Sequence, residues 1–237
     1  MDTKKVVFIS GSNRGIGKAT ITFFAKQGWN IIAHARKESD GFNKFVDNLS
    51  SEYHVVVTPF FFDLCDEVAM KEQITSIIYN QKMSIDALVN NAGVCEIKLF
   101  LLTSLTSVRK TFDVNFFAPL RLTQLLLKRM PTGSSIVNVS SIDGLEPKRG
   151  ETAYATSKAA LLAWTEVLKQ ELLGRVRVNA VAPHATDTDM AHSIENQAVW
   201  KGKPIINPDN IARAIYYLAA DAHDVTGNVL KITGQLD

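Results

Sequence analysis

Cysteine is scarce in this sequence. Only Cys65 and Cys95 occur among its 237 residues, with no C-x-x-C pair and no histidine at the spacing of a metal ligand. This argues against a disulfide-stapled scaffold and gives no indication of a zinc site. The sequence therefore predicts a protein without a metal centre, acting in the reducing cytoplasm.

An excess of one charge is missing as well. The 26 lysines and arginines face 24 aspartates and glutamates, for a formal net charge of +2, which is too balanced to predict nucleic-acid binding. The N-terminus also lacks a long hydrophobic run, because five strand-like residues after Lys5 lead into a glycine-rich loop. That run is too short for a signal peptide or membrane span, so we expect neither nucleic acid nor a membrane as partner.

The sequence does contain short apolar runs that alternate with longer stretches of helical periodicity. Such alternation is typical of a parallel sheet with crossover helices. The predicted strands are Val6–Ser10, Asn30–Ala35, His54–Phe62, Ala87–Asn90, Ser135–Ser140, Val176–Ala182 and Asn228–Ile232. The predicted helices are Gly15–Gln27, Gly41–Ser50, Glu67–Gln81, Leu105–Arg129, Tyr154–Leu173 and Asn210–Ala220.

Runs such as Val6–Ile9 are apolar at every position, as strands buried on both faces require. We therefore predict an α/β, doubly wound (Rossmann) fold with a seven-stranded parallel sheet and helices on both faces. The connections are short, so residues 1–237 are expected to form a single domain.

The first chemical motif ends the first strand and opens the first helix. Residues Ser10 to Gly17 read S-G-S-N-R-G-I-G. A pyrophosphate placed here would meet free backbone N–H groups and the positive end of the helix dipole, and the glycines would let it approach closely. A tight strand-to-helix turn without a ligand is the alternative interpretation.

The second motif is Tyr154-Ala155-Thr156-Ser157-Lys158. Its tyrosine and lysine are four residues apart and share one face of a helix. An ammonium group beside a phenol favours phenolate and is expected to bring the pKa of Tyr154 from about 10 toward a range useful for proton transfer. A solvated helix face is the alternative.

The order of the motifs adds information that each one lacks alone. After the glycine loop come Asn90-Asn91-Ala92-Gly93 behind strand four, Ser140-Ser141 behind strand five, and then Tyr154 and Lys158. This order resembles the short-chain dehydrogenase/reductase family, and most closely its bacterial 3-oxoacyl-acyl-carrier-protein reductases, from Val6 to Gly234.

The resemblance implies a catalytic set of Asn115, Ser141, Tyr154 and Lys158. In that set, Ser141 polarises the substrate carbonyl, Tyr154 transfers the proton, and Asn115 holds a water for a proton relay through Lys158. A purely structural role for Asn115 stays open. The resemblance also makes Asn90 a residue that steadies the central sheet.

The resemblance also implies a set of cofactor-binding residues. These are Gly11, Ser12, Asn13, Arg14, Gly15, Ile16, Gly17, Arg36, Asp63, Leu64, Asn91, Ala92, Gly93, Tyr154, Lys158, Pro183 and Thr188. Asp63 is expected to contact the adenine amino group or to cap a helix. Pro183 and Thr188 are expected to hold the nicotinamide carboxamide, although His184 stands where the family has glycine and puts the loop conformation in question.

The choice of cofactor is predicted from charge behind strand two. An NAD enzyme places a carboxylate there for the 2′-hydroxyl group, whereas this sequence has Ala35-Arg36-Lys37. Together with Arg14, Arg36 could flank a 2′-phosphate, so NADP(H) is favoured over NAD(H). Glu38 is the residue that keeps NAD as an alternative.

These observations predict an NADPH-dependent carbonyl reductase that transfers a hydride to a ketone, with a 3-oxoacyl thioester as one candidate. The alternatives are an NAD-dependent alcohol or sugar dehydrogenase and a non-enzymatic cofactor-binding regulator. The resemblance implies one dinucleotide-binding and catalytic domain over residues 1–237, with a short segment near 188–208 covering the substrate. It also implies a homodimer or homotetramer, although Gln235 replaces one of the glycines usual near that end. Acyl carrier protein is a candidate partner, expected to dock near Lys128, Arg129, Arg175 and Arg177.

Overall fold

A single parallel sheet organises the chain. The computed structural model describes residues 4–188, 190 and 205–234, so Gln235 and most of the predicted segment near 188–208 lie outside the described residues. The seven strands have the order β3-β2-β1-β4-β5-β6-β7, and each neighbouring pair is parallel. They are β1 (Val6–Ile9), β2 (Asn30–Ala35), β3 (Val57–Phe61), β4 (Ala87–Asn90), β5 (Ser134–Val139), β6 (Val176–Pro183) and β7 (Val229–Ile232). The predicted fold class is confirmed.

Helices cover both faces of the sheet. The α-helices of the described residues are α1 (Gly15–Lys26), α2 (Asp40–Tyr53), α3 (Glu67–Ile74), α4 (Leu105–Phe112), α5 (Ala118–Leu126), α6 (Thr152–Glu171) and α7 (Pro208–Tyr216). On β1, Val7 and Ile9 belong to a core shared with α1, α2 and α7, whereas Phe8 belongs to a second core shared with α3, α5 and α6. Because successive strand residues point to opposite faces, the apolar run of β1 is buried on both sides.

Strand β3 is shorter than predicted. The prediction began at His54, but this residue has φ of 53° and ends α2 in the left-handed conformation. Pro59 lies within β3, which is tolerated because β3 is at the edge of the sheet. The β-branched run Val55-Val56-Val57 therefore misplaces the strand start, because its first residues belong to the turn.

The predicted helix Leu105–Arg129 is not continuous. A π-helical segment, Asp113–Phe117, separates α4 from α5, and a 3-10 turn, Leu127–Arg129, follows α5. A second π-helical segment, Thr75–Tyr79, extends α3 in the same way. Such wide turns are rare and often occur at functional sites, and the first of them contains Asn115.

Candidate active site

A cavity of about 680 Å³ opens at the carboxyl ends of the strands. Its walls include Gly11 behind β1, Asn91 behind β4, Ser140 behind β5 and Pro183 at the end of β6. This edge of an open parallel sheet is where ligands bind in doubly wound folds. Of the predicted site residues, the lining contains Gly11, Asn13, Arg14, Gly15, Ile16, Gly17, Arg36, Asp63, Leu64, Asn91, Ala92, Gly93, Ser141, Tyr154, Lys158, Pro183 and Thr188.

Two predicted residues act behind the cavity wall. Ser12 is fully buried, its hydroxyl donates to the Ile9 carbonyl at 2.7 Å, and its N–H donates to the His34 carbonyl at 2.7 Å. Asn115 is also fully buried. Both therefore hold the site together from within the protein.

The glycines of this loop allow close packing within the protein as well as close approach of a ligand. A Cβ on Gly17 would lie 2.1 Å from the Gly11 carbonyl oxygen, and Gly11 itself has φ of +68°. The sequence predicted that the glycines make room for a ligand, and Gly17 makes room for the loop itself. Its missing side chain lets α1 begin directly beneath the turn.

The N-terminus of α1 is open toward the cavity. Within the described residues, Arg14 at the N-cap makes no side-chain capping bond, and the first turn holds no acidic residue. By contrast, Ser39 caps α2 and Asp66 caps α3 with side-chain oxygens. The unpaired N–H groups and helix dipole of α1 therefore suit an anion such as a pyrophosphate.

His34 is a cavity residue that the sequence motifs did not indicate. Its Nδ1 accepts from the Gly11 N–H at 3.3 Å, and its Nε2 lies 3.0 Å from the Phe62 carbonyl oxygen. These contacts fit one neutral tautomer, with the proton on Nε2. Burial lowers the pKa of His34 to about 4, so the imidazole stays neutral while it joins the glycine loop to β2 and to the end of β3.

Of the charged residues behind β2, Arg36 lines the cavity and Glu38 contacts α2. Arg36 and Arg14 are exposed and line the cavity. The carboxylate of Glu38 accepts from the Asn43 side-chain amide at 2.8 Å, which directs it toward α2. The arrangement therefore presents guanidinium groups at this end of the cavity.

Asp63 lines the cavity and does not cap α3. Its carboxylate accepts from the Cys65 N–H at 2.9 Å, while the cap of α3 is Asp66. The helix-cap alternative for Asp63 is therefore wrong. A contact with the cofactor remains the prediction for this residue.

Ser141 and Tyr154 meet inside the cavity. The Ser141 hydroxyl lies near the phenol of Tyr154, and it donates to a carboxylate oxygen of Asp143 at 3.2 Å. Burial raises the pKa of Tyr154 above its ordinary value, and the polar influence of Ser141 offsets only part of that rise. The expected shift of the Tyr154 pKa toward neutrality is wrong, because burial has the largest effect and the nearby carboxylates of Asp143 and Glu151 raise the pKa further.

Lys158 connects the end of β5 to the helix that carries Tyr154. Its Nζ donates to the Val139 carbonyl at 2.8 Å and lies 5.9 Å from the centre of the Tyr154 ring. The hydroxyl of Ser140 donates to the Lys158 carbonyl at 3.0 Å. Burial lowers the pKa of Lys158 to about 8, so the ammonium form predominates at neutral pH.

Asn115 uses both ends of its amide. Its Oδ1 accepts from the Val94 N–H at 2.8 Å, and its Nδ2 donates to the Val94 carbonyl and to the Ser157 hydroxyl, each at 2.9 Å. A Cβ on Gly93 would lie 3.3 Å from Asn115 Oδ1 and 3.4 Å from Lys158 Nζ. The π-helical turn thus brings Asn115 beside the lysine, and the water relay remains a prediction.

Asn90 holds the centre of the sheet. Its amide donates to Asn138 on β5 at 2.9 Å and to Thr123 on α5 at 3.2 Å, and the Asn138 amide in turn donates to Thr165 on α6 at 2.9 Å. These contacts confirm the structural role predicted for Asn90. They link β4 and β5 to the helices behind them.

The loop behind β6 accepts His184 without a left-handed backbone. Among the described residues other than glycine, positive φ occurs at His54 and Lys82, and the His184 N–H donates to the Ile232 carbonyl at 2.8 Å. A glycine is therefore not required at this position. Thr188 lies near the glycine loop, since a Cβ on Gly15 would be 3.0 Å from its methyl group.

The three arginines among the residues predicted to dock a carrier protein have structural partners. Arg129 donates to the Tyr79 carbonyl at 2.8 Å, Arg175 donates to the Leu127 carbonyl at 3.0 Å, and Arg177 donates to carbonyls of Leu218, Ala219 and Ala222. They lie at the amino ends of β5 and β6, opposite the cavity. The docking prediction finds no support in these contacts.

Two further kinds of feature are absent from the described part of the chain. No group of three or more His, Cys, Asp or Glu residues is placed to hold a metal ion there. No helix among those residues is long and apolar enough to span a membrane.

The chain is similar in sequence to a known protein family and to characterised relatives. A family model described as short chain dehydrogenase matches residues 5–199. The 3-oxoacyl-acyl-carrier-protein reductase FabG of Thermotoga maritima is 34% identical, over 98% of this chain and 97% of that protein.

Two solved structures superimpose closely on this chain. A short chain dehydrogenase from Burkholderia cenocepacia, crystallised with NADP, superimposes with a TM-score of 0.88 at 26% identity, covering 97% of this chain and 96% of that one. A blue fluorescent protein from a metagenomic library, crystallised with NADPH, superimposes with a TM-score of 0.85 at 28% identity over the same shares of the two chains.

Proposed function

Because the chain belongs to the short-chain dehydrogenase family, we propose that it is an NADPH-dependent carbonyl reductase that transfers a hydride to a ketone. The observation that carries this proposal is the convergence of Ser141, Tyr154 and Lys158 in one cavity whose other end presents an open helix N-terminus and two arginines. The first group suits a carbonyl, and the second suits a phosphorylated dinucleotide.

The residues at the carbonyl end have complementary roles. The Tyr154 phenol, kept protonated by its raised pKa, would donate the proton that the developing alkoxide requires. Ser141 would share a hydrogen bond with the same oxygen, and the Lys158 ammonium would stabilise phenolate after the transfer. A bound nicotinamide would supply the hydride.

The cofactor end fits NADP(H). The uncapped N-terminus of α1 would hold the pyrophosphate, and Arg14 and Arg36 would pair with the 2′-phosphate. Glu38, the residue that favours NAD, makes its contact with Asn43 on α2. NADP and NADPH are also what the two structural neighbours were crystallised with.

The experiment is a panel of ketones, 3-oxoacyl thioesters and sugars, assayed by NADPH and NADH absorbance with wild type and Tyr154→Phe. We expect NADPH-dependent reduction by wild type, and at least a hundredfold lower turnover in the variant, since general acids contribute about 10² to 10⁴. Unchanged NADPH affinity would show that the variant is folded. Oxidation of an alcohol or sugar with NAD alone would favour the dehydrogenase alternative, and cofactor binding without turnover of any substrate would favour the regulator.

The organisation of the active protein is part of the proposal. We expect residues 1–237 to act as one dinucleotide-binding and catalytic domain, with the segment near 188–208 covering the substrate, in a cytoplasmic homodimer or homotetramer. Thioesters carried on acyl carrier protein remain candidate substrates because the Thermotoga maritima relative is named as a reductase of such substrates.

A further inference from the structure

The carbonyl end of the cavity contains a carboxylate that the proposed reaction does not use. We propose that Asp143 selects the substrate, and that it favours ketones with a hydroxyl group on the carbon next to the carbonyl. The proposal rests on the proposed function, because it takes the Ser141–Tyr154 pair as the place where the carbonyl oxygen binds.

Asp143 is held beside the carbonyl site by a short turn. A 3-10 turn, Ile142–Gly144, follows Ser141 directly, and the Asp143 N–H donates to the Ser141 hydroxyl oxygen at 3.2 Å. The same hydroxyl lies 3.2 Å from Asp143 Oδ2. A substrate whose carbonyl oxygen contacts Ser141 would therefore place its neighbouring carbon within reach of the carboxylate.

One side of the carboxylate faces the cavity and the other faces the surface. Asp143 lines the cavity while 11% of its side chain is exposed. Its Oδ1 is paired with Lys148, which approaches from outside and is absent from the described cavity lining. An ionised carboxylate accepts about four hydrogen bonds, and Lys148 and Ser141 donate two of them in the free protein. When Ser141 turns its single proton to the substrate carbonyl, Asp143 Oδ2 loses that bond and needs another donor.

The negative charge of Asp143 affects the pKa values of other groups at the carbonyl end of the cavity. Asp143 contributes to the raised pKa values of Tyr154 and of Cys95, which also lines the cavity. Asp143 is only 8% exposed, so little water reaches its carboxylate. A poorly solvated carboxylate favours a ligand that donates a hydrogen bond to it.

The chemistry of the substrate follows from this environment. A methylene chain laid against Asp143 would remove the remaining water from the carboxylate without replacing its hydrogen bonds, which is unfavourable. A hydroxyl group at the same place would donate to it. The carbonyl would then bind Ser141 and Tyr154 while the adjacent hydroxyl binds Asp143, which fixes the ketone at two points.

The test uses two ketones of nearly equal shape, 1-hydroxy-2-butanone and 3-pentanone, in which the hydroxyl of the first is replaced by a methyl group. The measured quantity is the ratio of their kcat/KM values with NADPH, in wild type, Asp143→Asn and Asp143→Val. Because the hydroxyl also alters the intrinsic reactivity of the ketone, the comparison is between enzymes. We expect the preference for the hydroxyketone to fall at least tenfold in Asp143→Val, the size of one charge-assisted hydrogen bond, and by less in Asp143→Asn.

Lys148→Met is the matched control, because it removes the partner of Asp143 and leaves the carboxylate in place. We expect its hydroxyketone preference to be maintained. The affinity of each variant for NADPH, measured by fluorescence, reports whether it is folded.

The possible results distinguish failure of the Asp143 proposal from failure of the proposed function. If Asp143→Val slows both ketones equally, Asp143 only positions Ser141 and the proposal is overturned, while the carbonyl reductase assignment stands. If Asp143→Val raises the preference for the hydroxyketone, the proposal is also overturned. If wild type reduces no ketone in the panel, the proposed function fails and the inference fails with it.

Discussion

At the residue scale, three side chains on β2 and directly behind it define the cofactor end of the cavity. Arg36 follows the strand directly, Glu38 is drawn toward α2 by Asn43, and His34 supports the loop from below. A 2′-phosphate placed here would meet a guanidinium group in preference to a carboxylate. The choice between NADP(H) and NAD(H) should therefore depend on Arg36 more than on its neighbours.

Replacing Arg36 with Asp should move the enzyme's preference toward NADH. The change deletes a cation that pairs with the 2′-phosphate and adds a carboxylate that repels it and can bind the ribose hydroxyls. Since a hydrogen bond to a charged group contributes about 1.5 to 3 kcal/mol, the ratio of kcat/KM for NADPH and NADH should shift at least tenfold. Lys37→Asp is the matched control, with a smaller shift expected. An unmoved ratio in Arg36→Asp would show that another group sets the choice.

Two substitutions at His34 should separate its two hydrogen bonds. Asparagine can place an acceptor near the position of Nδ1 and keep the bond from Gly11, whereas glutamine reaches toward Phe62 and leaves the Gly11 N–H unpaired. We expect His34→Gln to weaken NADPH binding about tenfold, and His34→Asn to weaken it much less, because an unsatisfied buried donor costs about 1 to 3 kcal/mol. Fluorescence titration measures the affinity. Equal losses in both variants would mean that His34 acts only through general packing.

Local motifs were the part of the site that the sequence could predict. Tyr154 and Lys158 are one helical turn apart, so their shared face follows from spacing alone. His34 contacts residues 23 and 28 positions away, and no local pattern marks it. Asp143 is close to Ser141 in the sequence, but its role depends on the cavity, which the fold creates. The pKa of Tyr154 was predicted in the wrong direction because its burial could not be foreseen.

At the element scale, strands were predicted better than helix continuity. Uniformly apolar runs such as Val6–Ile9 identify strands buried on both faces, and the sheet has all seven of those predicted. The break at Asp113–Phe117 is followed closely by Pro119 in the first turn of α5, and this proline has no N–H to donate to the Asn115 carbonyl, a signal that the continuous prediction did not use. Its amide-bearing residue, Asn115, forms its bonds to Val94 and Ser157, which come from other parts of the chain. Tertiary contacts of this kind accompany a wide turn that helical periodicity alone does not predict.

Replacing Gly17 with alanine should destabilise the join between β1 and α1. The added Cβ would lie 2.1 Å from the Gly11 carbonyl oxygen, so backbone must move. We expect a loss of about 1 to 3 kcal/mol in the free energy of unfolding, as for other overpacked sites. The control is Gly41→Ala in α2, where no atom lies within 4 Å and a gain of about 0.4 to 1 kcal/mol is expected. Urea unfolding measures both, and a stable Gly17→Ala variant would contradict the packing role.

At the scale of the whole molecule, the buried imidazole of His34 should make stability depend on pH. Burial lowers its pKa to about 4 from an ordinary value of 6.5. Between these values the unfolded chain binds a proton that the native protein excludes, so this contribution to stability is complete above pH 6.5 and is lost as pH falls toward 4. The loss is about 1.4 kcal/mol for each pH unit.

The comparison that isolates His34 is urea unfolding of wild type and His34→Asn at pH 7.5, 6.5 and 5. Between pH 6.5 and 5, wild type should lose about 2 kcal/mol more than the variant, since only wild type carries the titrating group. Parallel pH profiles for the two proteins would show that the imidazole is not buried in the neutral form.

The apolar surface of the molecule predicts its assembly. The rings of Phe112, Phe116 and Phe117 form a group that reaches Trp164 on α6, with 6.4 Å between the ring centres of Phe116 and Trp164. Phe117 is 53% exposed and Val167, also on α6, is 54% exposed. A pair of neighbouring helices with apolar side chains facing outward is typical of an interface between identical subunits.

We expect wild type to be a dimer or tetramer by light scattering at micromolar concentration, and Val167→Glu to shift it toward monomer, because a symmetric interface would bury the new carboxylate twice. Tyr217→Glu is the matched control, since Tyr217 is 48% exposed but adjoins α7 and the opposite core. It should leave the mass unchanged. Circular dichroism would confirm that both variants fold. A monomeric wild type would contradict the prediction, whereas dissociation by Tyr217→Glu alone would move the interface to the other face of the sheet.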